Sequence, residues 1–393
     1  MLKHLTFATV GATVTLLSVG STALAASLTT IATNLDNPRG LTIGPDNSLY
    51  VTEAGRGGTG PCIPSPTNPT ASVCYGATGA LTRIQNGMVT RVVTGLPSLA
   101  APDGSEATGP HDLAFDASGQ PYVLVGLGAN PAVRGQLGVP DFGQLLKINA
   151  LNGGSDWTAI ADVSAFEQTN NPDGGEIDSN PYSLLIQNDT AYVADAGGND
   201  VLTVNLGNGT VNQSAVFGSR LVPSPFGGPD IPMQAVPDAV TSGPDQALYV
   251  GELTGFPFPV NGARVYRVTN GAPEIFAEDF TNIIDLNFDP NGNLYVLEYA
   301  KNGILSGDLT GALIRVNRDG TRTTVLDKGL LAPTSFTFGS NGDIFIANQG
   351  VAAGQGEIVR FNPNQQSVPE PSMLLGLLAI ASLGRLARGD RRQ

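Results

Sequence analysis

The stretch Pro38-Arg39-Gly40-Leu41-Thr42-Ile43, Gly44-Pro45-Asp46-Asn47, Leu49-Tyr50-Val51-Thr52-Glu53 decides the fold. An alternating apolar run enters a turn of Gly, Pro, Asp and Asn, and a second run led by an aromatic leaves it. The turn residues supply the tight or positive-φ geometry that joins two strands, and the alternation gives each strand one buried face. The phrase returns at Pro110-His111-Asp112-Leu113-Ala114-Phe115 with Tyr122-Val123-Leu124, and at Pro181-Tyr182-Ser183-Leu184 with Tyr192-Val193-Ala194-Asp195. It returns again at Pro237-Asp238-Ala239-Val240 with Leu248-Tyr249-Val250-Gly251-Glu252. The last two copies are Ile284-Asp285-Leu286-Asn287-Phe288 with Leu294-Tyr295-Val296-Leu297-Glu298, and Pro333-Thr334-Ser335-Phe336 with Ile344-Phe345-Ile346-Ala347-Asn348. Such a unit cannot bury its own sheet face, so the copies must stack.

A further pair of strand signals follows each phrase, as in Gly79-Ala80-Leu81-Thr82-Arg83-Ile84 with Val89-Thr90-Arg91-Val92-Val93. Four strands per unit and six units predict an all-β chain, a six-bladed β-propeller. The sixth unit ends at its third strand, Glu357-Ile358-Val359-Arg360-Phe361. An orphan strand, Leu28-Thr29-Thr30-Ile31-Ala32-Thr33-Asn34-Leu35, precedes the first. Pairing the two closes the ring and removes both free edges. The predicted domain runs over 26–366.

The flanks read as addresses. Lys3 and His4 precede an apolar stretch from Leu5 to Val19, and Ala23-Leu24-Ala25 has the small-x-small pattern of a leader cleavage site. Residues 1–25 are therefore expected to be a removable signal peptide, and the protein to be exported. At the other end, 367–393 carries Val368-Pro369-Glu370-Pro371, an apolar run from Ser372 to Ala381, and Arg385, Arg388, Arg391 and Arg392. That run is expected to be a helix, short for a permanent span.

The chain carries a formal charge of −14. Lys3 in the leader and four arginines against Glu370 and Asp390 in the tail are positive contributions, so the ring itself stands near −17. Binding phosphates needs basic surface, which disfavours nucleic acid as a partner. Cys62 and Cys74 are the only cysteines; they bracket a Pro-rich loop and are expected to form a disulfide.

In a propeller the starts of the inner strands and the ends of the second strands face the mouth of one central channel. The second strands end at Glu53, Val125, Asp195, Glu252, Glu298 and Asn348. Five oxygen-bearing side chains at one register suit a divalent cation such as Ca²⁺, which takes six to eight oxygens; they also suit turn caps. The inner strands start at Arg39, His111, Tyr182, Asp238, Asp285 and Thr334. His111 is a candidate general base or ligand, with Arg39 and Asp238 as its catalytic companions. Tyr182 with the Pro-stiffened Phe256 and Phe258 makes a candidate platform for a flat ligand. The loop Asn170-Asn171-Pro172-Asp173-Gly174-Gly175-Glu176-Ile177-Asp178-Ser179-Asn180 is dense in oxygen donors without EF-hand spacing. No nucleophile elbow, Walker loop or HExxH is present.

The repeats resemble NHL-type and gluconolactonase-like six-bladed propellers. A closer resemblance, to the ScyD/ScyE family of exported cyanobacterial propellers, rests on several runs. They are Ala107-Thr108-Gly109-Pro110-His111-Asp112-Leu113, Asp178-Ser179-Asn180-Pro181-Tyr182-Ser183-Leu184, Val193-Ala194-Asp195-Ala196-Gly197-Gly198-Asn199-Asp200 and Gly251-Glu252-Leu253-Thr254-Gly255-Phe256-Pro257-Phe258-Pro259. That resemblance implies a periplasmic or extracellular propeller and fixes no substrate. The tail resembles the PEP-CTERM sorting segment, which implies transient inner-membrane retention and an exosortase-type processing enzyme as partner. Three functions follow as expectations: a propeller binding a small or polymeric extracellular ligand, a metal-assisted enzyme with His111 as base, and a structural matrix component. Lactonase chemistry is disfavoured, because only Asp238 matches the metal-holding pattern of those relatives.

Overall fold

A computed structural model gives the structure of residues 28–68 and 70–363; the leader 1–25 and the tail 367–393 lie outside the described residues. Six antiparallel sheets stand around one axis. Their inner strands are Pro38–Ile43, Pro110–Phe115, Pro181–Gln187, Pro237–Ser242, Ile283–Phe288 and Ser335–Phe338. The inner strands of neighbouring blades touch all the way round, the first against the sixth included. Leu28–Leu35 pairs antiparallel with Gly356–Phe361 as the outer strand of the sixth blade, so the ring closes as the sequence predicts.

Each inner hairpin turns through one left-handed residue: Asn47, Gly119, Asn188, Gln246, Gly292 and Gly342. Gly and Asn adopt that conformation at low cost, and Gln246 is the exception. The aromatic that leads the second strand packs between blades. Tyr50 meets Phe115 edge-on at 5.1 Å, Tyr249 meets Phe288 at 4.8 Å and Tyr295 meets Phe338 at 5.0 Å, each Phe belonging to the next blade. These pairs sit among inter-blade apolar clusters such as Leu81, Leu113, Val123 and Leu146, or Leu297, Leu313, Ile346 and Val359.

The inner strands share an irregularity that shapes the channel. Pro110 faces Val125, yet Asp112 faces Leu124; Pro181 faces Asp195, yet Ser183 faces Ala194. The same extra residue recurs in the first, fourth and fifth blades. This bulge turns Arg39, His111, Tyr182, Asp238 and Ile284 to one level and puts Gly40, Asp112, Ser183, Ala239, Asp285 and Ser335 on the next.

The second level fastens the blades together. The Leu184 N–H donates to Asp112 Oδ2 at 2.7 Å, Val240 to Ser183 Oγ at 3.2 Å, Phe336 to Asp285 Oδ2 at 2.8 Å and Leu41 to Ser335 Oγ at 3.2 Å. Each bond crosses to the next blade. Gly40 and Ala239 offer no acceptor, and there Asp112 and Asp285 cap the following N–H of their own strand, Leu113 at 2.8 Å and Leu286 at 2.7 Å. Six buried donors are thereby satisfied by four side chains. Gly40 is required here, because a Cβ at that position would overlap Asp112.

Asp112→Ala leaves two buried N–H groups without acceptors, at about 1–3 kcal/mol each. A urea titration should show stability reduced by roughly 2–4 kcal/mol; an unchanged midpoint would remove the clasp from the fold's support.

Candidate functional site

Two of the five polar side chains at the channel mouth are held by carbonyls of the prolines that open inner strands. The His111 Nδ1–H donates to the Pro181 carbonyl at 3.0 Å and the Thr334 hydroxyl to the Pro38 carbonyl at 2.8 Å. Because a carbonyl only accepts, Nδ1 carries the proton and Nε2 keeps its lone pair. Burial, with the Arg39 charge adding to it, pushes the His111 imidazole down to about 3, so it is neutral. Its ring lies 4.8 Å from that of Tyr182, whose phenol burial holds protonated. Arg39 donates to the carbonyls of Gly350 and Ala107 and forms no ion pair among the described residues. Asp238 is buried, with Oδ1 unpartnered, and burial raises its carboxyl well above the usual range while the Arg39 charge opposes that.

One expected position is corrected. Asp285 does not stand at the mouth; Ile283 pairs with Glu298, so Ile284 takes that place and Asp285 shares the register of Asp112. The Ile283-Ile284 pair precedes the aspartate where other blades have a single residue after Pro, and the sequence offset hides the bulge.

The second-strand ends are also corrected. Glu53, Asp195, Glu252, Glu298 and Asn348 all lie buried at the predicted register, but each serves its own blade. Glu53 accepts from Asp36 N at 2.7 Å and Thr82 Oγ1 at 2.5 Å, and pairs with Arg91. Asp195 accepts from Ser179 Oγ, Asn180 N, Gly197 N and Gly198 N. Glu252 is clamped by Arg220 and Tyr266, Glu298 caps Thr281 N at 2.7 Å, and Asn348 Oδ1 caps Leu331 N at 2.7 Å. Four of the five thus hold the segment entering their inner strand. These bonds use the oxygens a shared cation would need, and among the described residues no three His, Cys, Asp or Glu are closed into a metal-holding group. The ring does not fit a central Ca²⁺.

Above the mouth lies a cavity of about 530 Å³ with a predominantly apolar wall. Arg39, His111, Tyr182, Tyr299 and Thr334 border it from the channel side. Phe256 and Phe258 stand on one flank, and Ile63 and Val73 of the Cys62–Cys74 hairpin on another. The disulfide is formed as expected. Phe256 also stacks on Phe226 at 6.0 Å, a ring 86% exposed on the hairpin loop after Arg220–Val222. Below the mouth a pocket of only about 20 Å³ separates the two ring levels, and a second cavity of about 310 Å³ opens beyond them. The channel narrows between the two cavities. Tyr299, Phe226 and the cavity-facing hairpin residues lie outside the repeated phrase, and the sequence pattern did not single them out. Asp112, Ser183 and Ser335 also escaped it as acceptors, although the third place of each phrase is consistently small or acceptor-bearing.

The fold recurs among solved structures. A PQQ-bound aldose sugar dehydrogenase from Streptomyces coelicolor matches with a TM-score of 0.50 and 11% identity over 86% of this chain and 99% of the other. Regucalcin, a calcium-binding protein from Agrobacterium tumefaciens, matches with 0.50 and 12% over 86% and 94%. A gluconolactonase from Xanthomonas campestris matches with 0.43 and 11% over 86% and 98%. At such identities the two matches at 0.50 carry the fold alone. Neither a protein-family model nor a curated protein sequence matches the chain.

Burial raises Asp112 to about 7, Asp285 to about 6 and Glu298 to about 7, all above their unfolded values near 4. Folding therefore takes up protons in this window, and the stability linked to these groups is lost as pH rises through 6–7. His111 acts oppositely below pH 6.5, a single group against several raised carboxyls. The denaturant midpoint should fall between pH 5 and pH 7.5; a rising midpoint would contradict the assignment.

Proposed function

We propose that the chain is a binding propeller whose mouth takes a small, flat, mostly apolar molecule bearing an anionic or carbonyl oxygen. One observation carries this reading: Arg39, a buried guanidinium without a carboxylate partner, borders a 530 Å³ apolar-walled cavity. A buried charge is normally paired, and a charge-assisted bond from a ligand oxygen supplies that pairing. The volume suits a drug-sized molecule. Phe256 and Phe258, at 6.3 Å and edge to face, give a flat ring an aromatic flank.

Binding is preferred over metal-assisted catalysis because the acid ring is spent on bonds within its own blades and His111 is a weak, neutral base at physiological pH. We place the protein among exported propellers of the ScyD/ScyE type, retained briefly at the inner membrane by a PEP-CTERM tail and released by an exosortase-type enzyme. The motif runs quoted above support that placement, and the Cys62–Cys74 disulfide is consistent with an oxidising compartment.

Calorimetry with 2-naphthoate and its neutral amide tests the reading. The acid should bind about tenfold tighter or more, the scale of one hydrogen bond to a charged group. Arg39→Gln should erase that preference, and Phe256→Ala, at an exposed position, should weaken both ligands about five- to tenfold. Equal affinity for acid and amide, or no binding of either, would overturn it.

A further inference from the structure

The side of the third blade carries a concentration of negative charge that the mouth does not use. Glu167 lies on the helix Val163–Asn170, Asp173 and Asp178 on the loop that follows, and Asp195 and Asp200 at the ends of the second and third strands. Glu167 and Asp200 are each 1% exposed. Both oxygens of Glu167 and Oδ1 of Asp200 lack any hydrogen-bond partner, as do Oδ1 of Asp178 and of Asn171. None of the ion pairs among the described residues reaches these acids.

The carboxylates converge beside Gly198. The point a Cβ there would occupy lies 3.3 Å from Glu167 Oε2, 3.5 Å from Asp195 Cγ and 3.6 Å from Asp200 Oδ1. The Glu167 and Asp200 oxygens therefore stand no farther apart than the first and last of those distances together. Buried carboxylates with neither donors nor counter-ions are costly, and a cation removes that cost.

We propose that Glu167, Asp178 and Asp200, with Asn171, form a Ca²⁺ site on the flank of the third blade, separate from the channel. All the donors are oxygen, which excludes the softer N/S-seeking ions as preferred occupants. Two of them sit on a loop, which suits the irregular six- to eight-oxygen shell of Ca²⁺ better than the strict octahedron of Mg²⁺. Among the described residues no three of these acids are grouped closely enough to hold an ion as they stand, so the site would close around Ca²⁺ as it binds. That closure would draw on the exposed loop segment 174–177, which directly precedes Asp178. Asp195 contributes charge rather than ligation, since four donors already hold it. Asp178 and Asn180 also border the mouth cavity, so the ion would fasten one of its walls.

The test is calorimetry and thermal unfolding of the purified full chain, stripped with chelator and then titrated with CaCl₂ or MgCl₂. One Ca²⁺ per chain should bind with a dissociation constant below about 1 mM and raise the melting temperature, with Mg²⁺ at least tenfold weaker. Asp200→Asn and Glu167→Gln should each weaken Ca²⁺ at least tenfold while raising the melting temperature of the chelated protein, because each removes an uncompensated charge. Glu298→Gln, outside the cluster, should leave the Ca²⁺ affinity unchanged. Absence of Ca²⁺ binding, equal Mg²⁺ affinity, or undiminished binding by Asp200→Asn and Glu167→Gln would overturn the site. None of these readouts involves the mouth ligand.

Discussion

Everything in this molecule depends on how the bulge in five of the six inner strands is resolved. An extra residue frees a backbone N–H on a buried strand, and that donor needs a new acceptor. The fold answers with side-chain acceptors one level down: Asp112, Ser183, Asp285 and Ser335 each accept a donor from the next blade. A carboxylate stands wherever two donors need serving, and a hydroxyl where one does. The same bonds set blade against blade, so closure by Leu28–Leu35 and the inner clasp act on one ring from its outer and inner margins.

This arrangement also explains why the mouth has chemistry to spare. The bulged residue itself has no ladder duty for its side chain, so Arg39, His111, Tyr182, Asp238 and Thr334 vary freely from blade to blade. Their orientation still comes from the ring. His111 and Thr334 donate to the carbonyls of Pro181 and Pro38, and Gly126 leaves room for the imidazole where a Cβ would strike it. The loops supply what the repeat cannot: the disulfide hairpin and the Phe256–Phe258 segment build apolar walls over a polar ring.

The fold was legible because its signals are local and periodic. Turn residues, alternation and an aromatic at one register are properties of adjacent residues, and six copies reinforce one another. The orphan strand before Pro38 was legible because edge strands need partners. The site was legible only in part. The acids at the strand ends sit at the predicted register, yet sequence cannot distinguish an oxygen offered to an ion from one already holding Asp36 N or Thr281 N. Nor does it reveal that Asp285 falls one level below the mouth, because the bulge shifts register without altering the pattern of residue types.

Asp195 and Asp200 show what that missing information is. They end and begin adjoining strands, are buried to the same degree and lie near one another. Asp195 is surrounded by one hydroxyl and three backbone donors, the environment of a carboxylate that works as a structural anchor. Oδ1 of Asp200 has no donor at all. The difference comes from the chain around them: the Gly197-Gly198 turn points its amides at Asp195, while Asp200 looks toward Glu167 on the helix that the long second-to-third blade connection inserts. A charge satisfied by fixed amides needs no partner, whereas one facing another buried acid needs either a proton or a cation. The number of donors around each acid, rather than its position in the repeat, therefore separates the carboxylates that build this ring from those available to bind.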